Sequence, residues 1–183
     1  MILTLLVDPT LAWYKITLIA FIAMAIKNFV RINNQHIFNP AAFGIFMTMI
    51  LFGAFTQWKG TYFWYILLPG GIYFAKKLGK LKILISYFLV SLVLFGSQSV
   101  GQRIPLENIL GYLSYFYIFV MIIEPKTSPV KPGGQLIFGA GIAVLIFMLT
   151  ESGARFDVEL FSLLVLNIAV LFINKVTLKT GGV

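Results

Sequence analysis

The sequence predicts an all-α, polytopic membrane helical bundle, and three observations carry that expectation. Apolar residues make up 60% of the 183 and charged residues only 11%, against roughly 45–50% and about 25% in a soluble domain. The apolar residues gather into about seven runs, each near the length that crosses a bilayer. The basic residues that give the +8 net charge fall in the connections between those runs. They read as a positive-inside signal rather than a nucleic-acid footprint, and no nucleic-acid partner is expected.

The runs cover 11–27, 38–56, 61–76, 82–97, 108–123, 134–150 and 158–174. Several fall short of the ~20 residues of a full span, so tilt or re-entrant geometry is expected. Lys27 and Arg31 follow the first run; Lys76, Lys77, Lys80 and Lys82 follow the third. Lys126 and Lys131 follow the fifth, and Lys175 and Lys179 close the last. The opposite connections carry Lys59, Arg103 and Arg155 with the acids Asp8, Glu107, Glu151, Asp157 and Glu159. This bias puts the N-terminus outside and the C-terminus in the cytoplasm of a cell with the protein in its inner membrane. Lys15 lies near the outer end of its run and is expected to snorkel. Residues 1–7 lack the charged start of a signal peptide.

The second run opens on HIFNPAAFG, with Asn39-Pro40 at a helix start. Asparagine caps a helix with its side-chain oxygen, and proline suits the first helical position. A polar break at membrane depth must be shielded by protein or line a cavity, so Asn39, Pro40 and the flanking Phe38 and Phe43 are candidate ligand contacts. His36, the only histidine, precedes the break and reads as a solvated or hydrogen-bonded loop residue. Trp58, Tyr62, Trp64 and Tyr65 read as an interfacial aromatic belt.

Between the fifth and sixth runs stands IIEPKTSPVKPGGQLIFGAGI. Pro125, Pro129 and Pro132 resist helix continuation, which is expected to leave the carbonyls before them free for a ligand, a cation or water. Thr127, Ser128 and Gly134 are candidate cofactor contacts, and Glu124 is the candidate for an ion pathway, since carboxylates at the membrane mark such routes. The N–H groups of the helix that follows favour an anion. LTLLVDPT (3–10) and FVMIIEPKT (119–127) echo one another, each an apolar run ending in a carboxylate, a proline and a threonine. By the charge rule they lie on opposite sides, as inverted repeats would. The chain is thus expected to form one integral membrane domain, 1–183, with 1–56 the remainder of a first repeat and 57–183 the second half.

Cysteine is absent, which excludes Cys-ligated iron–sulfur clusters within the chain, and one histidine cannot form a bis-His haem. No metal site, catalytic constellation or phosphate-binding glycine fingerprint is evident.

NQHIFNPAAFG, EPKTSP, GGQLIFGAGIAVLIFML and the Asn167 helix ending LNIAVLFIN resemble a family of membrane subunits. These are the D subunit of Rnf-type ferredoxin:NAD oxidoreductases and the B subunit of sodium-translocating NADH:quinone reductases. Asn39 and Pro40 match its Asn-Pro, Glu124 stands where it usually has Asp, and Thr127, Ser128, Pro129, Gly134, Gln135 and Gly139 match the rest. The resemblance implies a urea-transporter-like bundle of two inverted repeats and electron transfer through flavin coupled to Na⁺ or H⁺ movement. It implies partners too: other membrane subunits and a soluble flavin or iron–sulfur reductase. The family's SGAT-like segment, whose threonine takes a covalent FMN, has no counterpart: Thr56 and Thr61 are the hydroxyls of the shortened connection, and Ser152-Gly153-Ala154-Arg155 ends in arginine. Covalent FMN is therefore not expected, and a noncovalent flavin (riboflavin or FMN) or a quinone is. The chain resembles the family from the middle of its first repeat onward, which implies a compact homologue, a split half whose partner supplies the rest, or a fragment, and a partner subunit or self-association is expected to cover it. It would be a subunit at most, not catalytic alone. The alternatives are a solute or ion channel of the same fold and a membrane anchor for a soluble flavoprotein reductase.

Overall fold

The computed structural model describes residues 6–8, 10–32, 35–54, 56–102 and 114–179. Its architecture is all-α, and six α-helices occupy the described residues: α1 (Trp13–Phe29), α2 (Pro40–Phe52), α3 (Trp64–Lys77), α4 (Leu81–Gln102), α5 (Pro132–Glu151) and α6 (Val158–Lys179). Each overlaps one of the predicted runs. Of the remaining run, residues 108–113 lie outside the described set, as do Arg103 and Glu107. Among the described residues, three helices are long and apolar enough to cross a membrane: Leu81–Ser99, Pro132–Glu151 and Val158–Val176, with Pro40–Phe52 a shorter apolar helix. The chain is an integral membrane protein.

The helix starts follow the sequence punctuation. Asn39 caps α2 in extended conformation, its side-chain oxygen accepting from the Ala41 and Ala42 N–H groups, with Pro40 first in the helix. Gly53, at φ 61°, ends the same helix in the left-handed region, where a side chain would be strained. Pro132 opens α5. Other features follow no such signal. Pro69 sits inside α3, and Arg31–Ile32 pairs antiparallel with Gln35–His36 in a short hairpin between α1 and α2. Tyr117–Met121 widens into a π turn, closed by the Ile122 N–H on the Tyr117 carbonyl at 3.0 Å.

The α4–α5 and α5–α6 pairs form the centre of the bundle, and α1 packs on α2. Gly139 is what lets α5 approach α4: a methyl group there would strike the Ile83 carbonyl and the Ser86 hydroxyl. Gly44 plays a similar part opposite Ala23, where an added Cβ would come within 2.9 Å. Small residues at such crossings are how membrane helices pack closely when lipid and side chain are equally apolar. The core gathers Ile83, Leu84 and Tyr87 of α4, the π segment, Phe138 and Ile142 of α5, and Leu160 and Leu163 of α6.

Contacts between loops give the bundle two distinct ends. At one, Lys80 and Gly79 of the α3–α4 turn meet Ser128, Pro129 and Gln135. At the other, Gln98 meets Glu151, and Thr56 and Trp58 meet Asp157. The α3–α4 and proline-rich basic connections thus share an end, as the charge alternation requires. Lys15 reaches along α1, its Nζ 5.1 Å from the Phe52 ring centroid.

Candidate functional site

Three sequence regions converge on one polar junction inside the bundle. Asn39 is buried, and its oxygen is engaged by the first turn of α2 at 3.0 and 3.1 Å. Its Nδ2 faces the Met121 carbonyl, where the π turn ends, at 3.5 Å. Asn167 of α6, 1% exposed, completes the contact. With its amide oriented to suit its neighbours, it donates to the Thr127 carbonyl at 3.1 Å and accepts from the Asn39 backbone N–H at 3.0 Å. One side chain of α6 thereby ties the Asn-Pro break to the proline-rich turn.

Depth follows from helix geometry. Asn167 lies nine residues beyond Val158, about 14 Å along α6 at 1.5 Å per residue. The 13 residues of α2 span about 20 Å, well short of a ~30 Å hydrocarbon core. The start of α2, bonded to Asn167, therefore lies away from both ends of α6. Irregular backbone is tolerated at such depth only when protein satisfies it.

The proline-rich turn satisfies itself. The Glu124 carbonyl, before Pro125, accepts from the Ser128 hydroxyl at 2.7 Å and the Thr127 N–H at 3.4 Å. The Ser128 carbonyl, before Pro129, accepts from Lys80 Nζ at 3.3 Å, and the Pro129 carbonyl does so at 2.6 Å. The Lys131 carbonyl, before Pro132, takes the Gln135 N–H at 3.0 Å. The expectation of free carbonyls is corrected: all three carry donors from the chain. Lys80 also departs from its reading as a topology residue. It is buried, unlike Lys76, Lys77 and Lys82, and desolvation lowers its pKa from the usual lysine range. Gln135 locks the same corner, its Nε2 donating to Gly79 and Val130 carbonyls at 2.8 and 3.2 Å.

The remaining candidates surround this knot. The Thr127 hydroxyl donates to Glu124 Oε2 at 3.3 Å. Phe38 and Phe43 are partly buried and tilted against each other, centroids 5.4 Å apart, and Gly134 is buried in the first turn of α5. His36 is buried rather than solvated. Its Nδ1 has no hydrogen-bond partner, and burial, then the charge of Arg31, lowers its pKa.

Asp8 and Glu124, the acids of the two echoing segments, share a local geometry. Each accepts from the hydroxyl of a following threonine, Thr10 at 2.8 Å and Thr127 at 3.3 Å. Residues 3–5 and 9 of the first segment lie outside the described set.

Of the four aromatics expected in an interfacial belt, Trp58 behaves differently. Tyr62, Trp64 and Tyr65 are exposed as a belt requires. Trp58 instead packs on the Tyr117 ring and donates from Nε1 to Asp157 at 3.2 Å. Nothing in the spacing of the four separates Trp58 from the others. Thr56 donates to the same carboxylate, and Thr61 pairs with Ser114 at 3.3 Å. Ser152, Gly153 and Ala154 form the turn that ends α5.

The model of the NQR2, RnfD, RnfE family matches residues 59–181, which include the proline-rich turn, Gly139 and Asn167. The chain belongs to that family. Curated relatives named as the D component of an ion-translocating oxidoreductase complex also match it. The one from Ectopseudomonas mendocina is 28% identical over 108 residues, covering 56% of this chain and 32% of that one. The Marinobacter nauticus protein of the same name is 34% identical over 84 residues, covering 45% and 24%. That of Shewanella amazonensis is 32% identical over 81 residues, covering 44% and 23%. The chain thus spans a third or less of the length of these relatives. Asn39 lies before the segment that matches the NQR2, RnfD, RnfE family, so its bond to Asn167 is a contribution of the structure.

Proposed function

We propose that the chain is a membrane subunit of an ion-translocating electron-transfer complex of the Rnf or Nqr type. The observation that supports this best is the junction of Asn39, Thr127 and Asn167, a satisfied polar break at membrane depth in a chain of that family. Breaks of this kind accompany ligand and ion sites in membrane proteins. Residues 1–56 supply Asn39 and residues 57–183 the rest, the division expected of two inverted repeats.

A noncovalent flavin (riboflavin or FMN) or a quinone is the ligand the reading calls for, and such a group supplies one- or two-electron redox chemistry when bound. The candidate residues divide in their fit to it. Asn39, Thr127 and Ser128 have their polar atoms engaged within the chain, so they build the wall of such a site. Phe38 and Phe43 offer ring surface for a flat ligand, and buried Gly134 permits close approach. Glu124 serves the ion pathway. Electrons reach the chain from a soluble flavin or iron–sulfur reductase through neighbouring membrane subunits, with the N-terminus outside and the C-terminus in the cytoplasm. A second reading, a scaffold that positions redox partners, is favoured by the same engaged polar atoms.

The absorption spectrum of the detergent-purified chain, before and after acid precipitation, tests this. Flavin released into the supernatant supports the noncovalent redox subunit. Flavin in the pellet overturns the noncovalent assignment, and a well-folded preparation without flavin or quinone selects the scaffold.

A further inference from the structure

The turn between α3 and α4 carries four lysines in seven residues, KKLGKLK, and they point to different ends. Lys80 is engaged inside the bundle, its Nζ donating to the Ser128 and Pro129 carbonyls at 3.3 and 2.6 Å. Gln135 holds the Gly79 carbonyl from the same side at 2.8 Å. The Lys80 N–H closes the turn on the Ala75 carbonyl at 2.7 Å. The bundle therefore fixes this turn, and Lys76, Lys77 and Lys82 stay exposed around it.

The stretch around these three lysines is free of acids: the sequence holds no aspartate or glutamate between Asp8 and Glu107. Glu124, on the turn that Lys80 meets, has Lys126 and Lys27 as its cationic neighbours. Glu151, Asp157 and Glu159 stand at the opposite end of the bundle. The apolar span of α4 begins at Leu81, so Lys82 sits at its membrane edge. Three like charges are thus gathered where helices leave the hydrocarbon.

What lies along the helices behind the lysines decides the kind of partner. Residues three and four apart share a helix face. Lys76 and Lys77 continue the face of Ile72, Tyr73 and Phe74, all exposed, and Lys82 heads the face of Ile85 and Leu89, exposed as well. Each face is an apolar column that ends in an ammonium group. A soluble acidic protein would match the charges alone. A phospholipid with a net negative headgroup matches both parts, its phosphate meeting the lysines and its acyl chains the columns. Juxtamembrane lysines attract anionic lipids in this way, and Tyr73, one turn from the α3 lysines, adds an aromatic ring suited to headgroup level.

We propose that Lys76, Lys77 and Lys82 form a binding site for the headgroup of an anionic phospholipid, whose acyl chains lie along the exposed faces of α3 and α4. Lys80, bound inward, holds the turn that presents the other three. The site goes beyond the redox reading of the chain and stands or falls independently of any flavin.

The test is the unfolding midpoint of the full chain in its native complex, delipidated in mild detergent, as lipid is added back. A bound ligand raises the midpoint of the state it binds. Phosphatidylglycerol should raise it by several degrees more than phosphatidylcholine of the same chain length, and high salt should shrink that difference. Lys76→Gln, Lys77→Gln and Lys82→Gln together should abolish the difference. Lys126→Gln, Lys131→Gln and Lys175→Gln together remove as many charges from the same end and should leave it. Loss in both triple variants alike would overturn the site in favour of net charge. An equal rise with glycerol 3-phosphate would reassign the lysines to a free phosphate, and a rise with polyglutamate but not phosphatidylglycerol would reassign them to an acidic polypeptide. Either result, or no response to any of these, overturns the lipid site. Should the first triple variant fail to assemble, the wild-type complex is photo-cross-linked to diazirine-bearing phosphatidylglycerol or phosphatidylcholine. Cross-links gathered on α3 and α4 with the anionic lipid alone support the site, and the same pattern with both lipids, or none on these helices, overturns it.

Discussion

Replacing Asn167 with leucine strips partners from two buried backbone groups at once, the Thr127 carbonyl and the Asn39 N–H. An orphaned buried group costs about 1–3 kcal/mol, so Asn167→Leu is expected to lose roughly that amount per group in denaturant unfolding of the detergent-solubilised protein. Asn167→Asp keeps an acceptor for the Asn39 N–H but, once ionised, has no donor for the Thr127 carbonyl, so burial should raise its pKa and its stability should fall as the pH rises. A leucine variant as stable as wild type would remove the junction from the structure's support. Asn39, Thr127 and Asn167 are each legible in the sequence, the first two by capping and turn chemistry and the third by resemblance. Their mutual bonds are not, because nothing local encodes contacts between residues this far apart. Lys80 is hidden for a different reason: KKLGKLK reads as uniformly basic. Only the turn at Gly79, φ 67°, sends one lysine inward while its neighbours stay exposed.

Helices are the most legible level, since long apolar runs bounded by proline, asparagine and glycine leave few alternatives. The π turn at Tyr117–Met121 and the proline inside α3 are invisible to that reasoning. Both depend on neighbouring helices to stabilise backbone that the local sequence would not choose. Packing between helices yields a sharper test. Gly139→Ala places a methyl group against the Ile83 carbonyl, backbone that cannot swing aside, and overpacking of this kind costs about 1–3 kcal/mol. Gly96 is also helical and has open space around its Cβ position, so Gly96→Ala should be neutral or gain up to ~1 kcal/mol. Equal effects of the two substitutions on the unfolding midpoint would mean that α4 and α5 do not approach as described.

At the scale of the whole bundle, orientation is the property that the charge pattern carries and helix packing alone cannot. The absence of cysteine makes single-cysteine variants clean reporters. Lys59→Cys and Lys126→Cys occupy exposed positions in connections expected on opposite sides. A membrane-impermeant maleimide should label the first in intact cells and the second only in inverted vesicles. The reverse pattern would turn the bundle over and move the end that holds Asp157 to the cytoplasm.

The α2 helix, starting at membrane depth, also shapes the electrical landscape inside the bundle. Its aligned peptide dipoles amount to roughly half a positive charge at the N-terminus, where the Asn39 oxygen engages the Ala41 and Ala42 N–H groups. In a low-dielectric interior that partial charge acts over several ångströms. The Glu124 carboxyl, whose side chain meets that of Asn39, sits at this positive end and offsets it. The half-helix and the carboxyl thereby hold one another in place, which gives the start of α2 an electrostatic anchor besides its hydrogen bonds.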